Sequence, residues 1–325
     1  MPKLKCYAFL LILLPAMASA APSAGRLSGT AVSPDGKTMA VTYVKNGTCF
    51  IYKVALETGR ASRLTNAAAG FESSPSFAPD GKRIAYSYSA GKGQNSHIVI
   101  VNTDGSALHS WPSSSSNDFR PLFTPSNKAI IFARSGYYGS YSPIAQPHSH
   151  DWNFYSASLD GANLRQLTND HFYMVSDASI SPDGKNMVFV SSEQRGDVIE
   201  IRSVEEPGKP ARLLRPHVPK EPRPGPTFNC PNYTPDGKHI VFMAANEGKN
   251  GYDYDVFQTD IDTGAVEALT NDNGYATDLK LLPDGKTALF LKWNKDGRGS
   301  LAGNDLYLLD IQTRKLTLFK INGLD

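Results

Sequence analysis

The stretch "SPDGK" spans Ser33–Lys37 and returns unchanged at Ser181–Lys185. Near-copies stand between and beyond: "APDGK" from Ala78, "TPSNK" from Thr124, "TPDGK" from Thr234 and "LPDGK" from Leu282. The six prolines, at 34, 79, 125, 182, 235 and 283, are separated by 45, 46, 57, 53 and 48 residues. Self-similarity at such a period is the signature of a propeller or a solenoid. An Asp, a Lys and a Ser in five residues invite a reactive-site reading. Turn chemistry explains them more simply. Pro fixes φ at the second turn position, Asp bonds backbone N–H groups two residues on, and Gly takes a positive φ without steric cost.

The residues around each copy repeat too. A short apolar stretch precedes the motif, as in "SPSF" at Ser74–Phe77. An alternating stretch follows it: "KRIAYSYS" from Lys82, "KNMVFVSS" from Lys185, "KHIVFMAA" from Lys238. Next come "HIVIVN" from His97, "VIEIRSV" from Val198 and "DLYLLDI" from Asp305. A second tight turn follows ("ETGR" at Glu57, "LDGA" at Leu159, "DTGA" at Asp262), and then a short Leu-Thr segment such as "QLTND" from Gln166. Period-two runs of β-branched and aromatic residues between Gly and Asp turns are strands. No long helical periodicity is present. Four antiparallel strands, six times over, predict an all-β, six-bladed propeller. The blades are expected to start near residues 27, 72, 118, 175, 228 and 276.

The N-terminus reads differently. "MPKLKCYAFLLILLPAMASA" has Lys3 and Lys5, then an apolar run from Tyr7 to Leu14, then Ala18-Ser19-Ala20. These are the three regions of a secretory signal peptide, with cleavage expected after Ala20. The apolar run is shorter than the roughly 20 residues a membrane span needs. The reading is therefore 1–20 signal peptide and 21–325 one propeller domain, exported to the periplasm as a monomer without a membrane span. Loss of Lys3 and Lys5 takes the 33 basic and 31 acidic residues to 31 of each. A neutral chain has no global bias toward nucleic acid. Only Cys49 and Cys230 follow the signal region, on blades one and five, where no bridge between them is expected.

The "SPDGK" turn, the strand after it, the Leu-Thr closing segment and the "DG" turn together resemble the TolB-like propeller repeats of bacterial periplasmic proteins. The resemblance covers all six blades. It implies a six-bladed propeller in an exported protein, and it extends to oligogalacturonate lyases and to the propellers of prolyl-oligopeptidase-type peptidases. TolB proteins carry an α/β domain before the propeller; here the first blade is expected directly after the cleavage site. No G-x-S-x-G nucleophile elbow occurs, which sets a peptidase aside.

In such a blade the first-second and third-fourth turns crowd one face, and the second-third loops and blade connectors emerge on the other. Function on rigid scaffolds concentrates in irregular loops. Blade three has the longest such loop, "RSGYYGSYSPIAQPHSHDWN" at Arg134–Asn153. It offers Tyr137, Tyr138, Tyr141, His148, His150 and Trp152, and the next connector adds His171 and Tyr173. The connector "RPHVPKEPRPGP" from Arg215 adds Arg215 and His217. Three readings of "PHSHD" compete: a packed loop, ligand contact by aromatic and imidazole groups, or a divalent metal held by His148, His150 and His171. The metal version would fit the lyases that the repeat resembles. The favoured expectation is a binding or scaffold protein for a cell-envelope protein, peptide or glycan, without a cofactor. The alternative is a metal-assisted polysaccharide lyase. Asp177 and Asp278, just before first strands, are expected to be structural.

Overall fold

The computed structural model describes residues 25–324 except 67–69, 92–94, 112–115, 141–147, 194–195, 220–224, 249–250, 272–273 and 296–300. It is a six-bladed propeller of six four-stranded antiparallel sheets, each built from four consecutive strands. The innermost strands are Arg26–Val32, Phe71–Phe77, Asn117–Phe123, Ser179–Ile180, Phe228–Tyr233 and Ala276–Leu281. No helix among the described residues is long and apolar enough to cross a membrane. Cys49 and Cys230 are free and buried.

"SPDGK" is the turn between the first and second strands. Asp35 Oδ1 accepts from Ser33 Oγ (2.5 Å) and from the Lys37 amide (3.0 Å), and the Gly36 amide donates to Ser33 O. Asp183 repeats this with Ser181 and Lys185. The turns also join the blades to one another. Each turn Gly lies against the turn Pro of the preceding blade: Gly81 on Pro34, Gly184 on Pro125, Gly237 on Pro182, Gly285 on Pro235 and Gly36 on Pro283. Blade three has Asn127 instead, also at positive φ. Its side chain donates to Asp80 (2.7 Å) and accepts from Arg83 (2.9 Å), so the departure "TPSNK" replaces a backbone contact by side-chain bonds. Outside this collar runs a second one. Lys53 donates to Thr103 O, Trp111 Nε1 to Leu159 O, Arg165 to Glu205 O and Arg212 to Ile261 O, each reaching the next blade.

The Leu-Thr segment is structural for a similar reason. Thr65, Thr168 and Thr270 accept the amides of Ile51, Phe154 and Val256. Asn153 and Asp255 in turn accept the hydroxyls of Thr168 and Thr270. The apolar faces between blades form the core; each cluster draws residues from two neighbouring blades.

Arg26 does not cover the outer strand of blade six. Arg26 pairs with Val44 inside blade one, because its alternation continues that of Leu27 and the strand; residues 21–24 lie outside the described residues. Closure comes instead from the other end of the chain. Asn322 joins Arg60 in a parallel bridge, with Ala61 N to Asn322 O at 2.8 Å and Asn322 N to Gly59 O at 2.9 Å. Asn304 completes it by bonding both backbone groups of Leu27.

Candidate functional site

The second and third strands of blade three, Ala129–Gly139 and His148–Ser158, are eleven residues each, so their hairpin stands above the blade end. Tyr137 pairs with His150 and Gly139 with His148. The His148 and His150 rings lie 3.7 Å apart between centroids; Tyr137 stacks on His150 at 6.0 Å, and Tyr173 closes from the other side at 5.4 Å. Tyr173 arrives because the connector pairs with the third strand, Trp152 N to Phe172 O at 2.9 Å and the reverse bond at 3.0 Å. His171 Nδ1 meets Asp151 Oδ1 at 2.6 Å.

Of the ten expected contact residues, this brings Tyr137, His148, His150, His171 and Tyr173 to one hairpin. Tyr137 and Tyr173 present 42% and 57% of their surface and Tyr138 is half-buried, whereas His150 is buried. Burial, with His148 beside it, pulls the His150 pKa below the usual histidine range, so its ring is neutral at physiological pH. Trp152 is buried against Phe119, its indole N–H on Ser149 O, and so supports the hairpin from within. Tyr141 lies outside the described residues. Arg215 and His217 are exposed on a separate connector, alternating with buried Pro216 and Val218. Among the described residues no three His, Cys, Asp or Glu side chains converge on one point. His148, His150 and His171 are therefore not a common ligand set, and the metal reading finds no fit there.

A second polar feature sits on the axis. Five first strands carry a left-handed residue five positions before the turn Pro: Gly29, Ser74, Arg120, Cys230 and Asp278. Each accompanies a break in the pairing register. Such bulges re-aim side chains. Asp177 holds the same place in blade four. Arg120 Nε reaches Asp177 Oδ1 at 2.7 Å, and Lys280 Nζ lies 3.5 Å from Asp177 and 3.6 Å from Asp278. Residues from five blades, including these four, line one small axial cavity. Burial raises the Asp177 pKa, but Lys280 and Arg120 outweigh it and hold it below the usual range. Burial dominates at Asp278 and pushes it up to about 6. The hydroxyl and amide of Thr30, beside it, only partly offset that rise. Asp177 and Asp278 are thus members of a channel ion network as well as strand-start residues. Sequence reasoning passed over Arg120 and Lys280. Aligning the six repeats on their prolines would have shown Arg120, since position Pro−5 reads Gly, Ser, Arg, Asp, Cys, Asp; Lys280 stands at Pro−3 and escapes that alignment.

Asp197 opens the third strand of blade four on the loop face. It accepts from Ser192 Oγ (2.7 Å) and from the Phe228 amide of blade five (3.0 Å), yet burial pushes its pKa up to about 6. A carboxyl raised in the native state stabilises below the unfolded value, near 3.9, and that contribution is lost as pH rises through about 6. Asp197→Asn, which can keep both bonds, is expected to gain about 1–3 kcal/mol at pH 7.5 and nothing at pH 4. Thermal melts across that range check it; a less stable variant at pH 7.5 contradicts the burial argument.

The TolB beta propeller domain model matches residues 27–214, more than half the chain. The chain belongs to the TolB beta-propeller family. It is 30% identical over 172 residues to the Tol-Pal system protein TolB of Francisella tularensis subsp. mediasiatica, covering 52% of this chain and 36% of that protein. It thus spans about a third of that relative's length. It is 24% identical over 305 residues to dipeptidyl-peptidase 5 of Porphyromonas gingivalis, covering 90% of this chain and 41% of that one. Among solved structures, TolB from Acinetobacter baumannii superposes with a TM-score of 0.60 at 18% identity, over 92% of this chain and 64% of that one. An oligogalacturonate lyase in complex with manganese gives 0.60 at 13%, over 91% and 78%. At these identities the two structures show the shared propeller alone.

Proposed function

We propose that the protein is an exported, periplasmic TolB-type binding module that captures a cell-envelope protein, peptide or glycan on its loop face. The observation that carries this is the blade-three hairpin. Two exposed tyrosines flank an imidazole pair, His150 buried and His148 half-buried, on a four-stranded base. Rigid aromatics with a polar tip supply contact area at low entropic cost, and truncating such anchors removes most of an interface's affinity. The protein acts as a monomer, and the reading requires no cofactor. The relatives named for peptidase or lyase activity share the blades, while the histidine geometry gives lyase chemistry no support here.

The test is affinity capture from periplasmic extract, followed by titration of the purified partner. The double substitution Tyr137→Ala/Tyr173→Ala is expected to weaken binding at least roughly tenfold. Leu108→Ala, on an exposed residue beside the third-fourth turn of blade two, is expected to leave it unchanged. Equal capture by the double variant would place the binding surface elsewhere.

A further inference from the structure

The turn face is repetitive scaffold everywhere except in blade four. Eight residues, 204–211, separate the third and outer strands there, against five or six in the other blades. The insertion "VEEPGKPA" is an ordered one, with Glu206 N on Ser203 Oγ and Lys209 N on Glu206 O, both at 3.0 Å. The scaffold does not need it, since five blades manage without. It forms the outer wall of a groove of about 420 Å³ between blades four and five. That volume lies within the range of small-ligand sites, roughly 300–1,000 Å³.

The groove is polarised. Its inner wall carries Asp183 and Asp236 from two neighbouring "PDG" turns. Hydroxyls of Ser181 and Thr234, and the amides of Lys185 and Lys238, hold both carboxyls below the usual range, so they stay ionised. Its outer wall carries Lys209 and Arg212. The floor is Ile201, Tyr233 and Ile261, all partly buried against the core of blades four and five. Anion on one wall, cation on the other and an apolar floor between them match one ligand class in charge and shape.

We propose that this groove binds a short zwitterionic peptide, its ammonium toward Asp183 and Asp236, its carboxylate toward Lys209 and Arg212, and an apolar side chain on the floor. The site is on the face opposite the blade-three hairpin and stands independently of the function proposed there. Neither a purely cationic nor a purely anionic ligand matches both walls.

The probe is the dipeptide Ala-Phe, measured by titration calorimetry beside its N-acetyl and C-amide forms. Exposed ion pairs are individually weak, so capping either end is expected to lower affinity roughly three- to tenfold. Lys209→Glu is expected to do the same to the free dipeptide; its side chain is 64% exposed and its pair with Glu206 is at 4.0 Å, so the fold does not depend on it. Asp236→Asn, which retains the turn's acceptor oxygen, supplies the matching loss on the other wall. Tyr137→Ala/Tyr173→Ala is expected to leave dipeptide binding unchanged. Free and capped dipeptides binding alike, acetate or ethylammonium alone competing as well as the dipeptide, or no heat at millimolar dipeptide would each overturn the proposal.

Discussion

Lys280→Met is expected to cost about 3 kcal/mol at pH 8, the penalty for leaving buried carboxylates without their cation. Lys280 keeps 22% of its side-chain surface, which places the cost at the low end for a broken buried pair. Asp177 retains Arg120 at 2.7 Å; among the described residues Asp278 retains no ion-pair partner. The pH dependence follows. Asp278 already titrates near 6 in the presence of Lys280, and removing that charge moves it higher. Its native-state pKa then lies further above the unfolded value, so the defect is largest above the native pKa and shrinks as pH falls toward 5. Denaturant titrations at pH 5 and pH 8 read this directly. Adding Asp278→Asn to the Lys280→Met variant is expected to recover much of the loss at pH 8. A single variant equally destabilised at both pH values would mean that the loss is one of packing.

The second large effect is expected at ring closure. Gly59 has φ +71°, and a Cβ placed on it would lie 2.1 Å from the carbonyl oxygen of Lys320. Gly59→Ala therefore meets two costs. The left-handed conformation penalises an L side chain by about 1–2 kcal/mol. The clash is with backbone, so relief requires the segment through Asn322 to move, breaking the two bonds that join it to blade one. A loss of about 3 kcal/mol or more is expected. Amide exchange of Ala61 and Asn322 is expected to accelerate in step, because local opening exposes those groups first. Gly264→Ala is the control: it shares φ +72°, but its Cβ would meet nothing within 4 Å, so only the backbone term remains. Equal losses in the two variants would remove the closure argument.

The two predictions bear on residues that the sequence shows very unequally. Gly59 belongs to a turn legible at once, since "ETGR" repeats in kind in blades two, three and five. Its contact with Lys320, more than 250 residues away in sequence, is not legible, because closure joins the two ends of the chain. Lys280 and Arg120 carry no local signature either. Each is one residue in a β-strand pattern, and the bulge that turns the strand toward the axis is a backbone feature with no fixed letter: Gly, Ser, Arg, Cys and Asp all adopt it. At the hairpin the residue types were legible and their exposure was not. His150 and Trp152 stand beside exposed tyrosines in the same segment, and only the pairing of Phe172 with Trp152 decides that they are covered.

The sequence by itself determined the number of blades, the strand order and the type of turn, because these are local and recur six times. A Pro-Asp-Gly turn needs only its own five residues, and period-two alternation needs only its own strand. The tertiary structure decided everything that depends on two blades meeting. "SPDGK", sufficient alone as a turn, becomes part of a ring only when Gly36 reaches Pro283 and Gly184 reaches Pro125. The channel ions, the polarised groove and the closing bridge arise in the same way. Each pairs residues about one repeat or more apart, and the distance between such residues is set by the curvature of the ring.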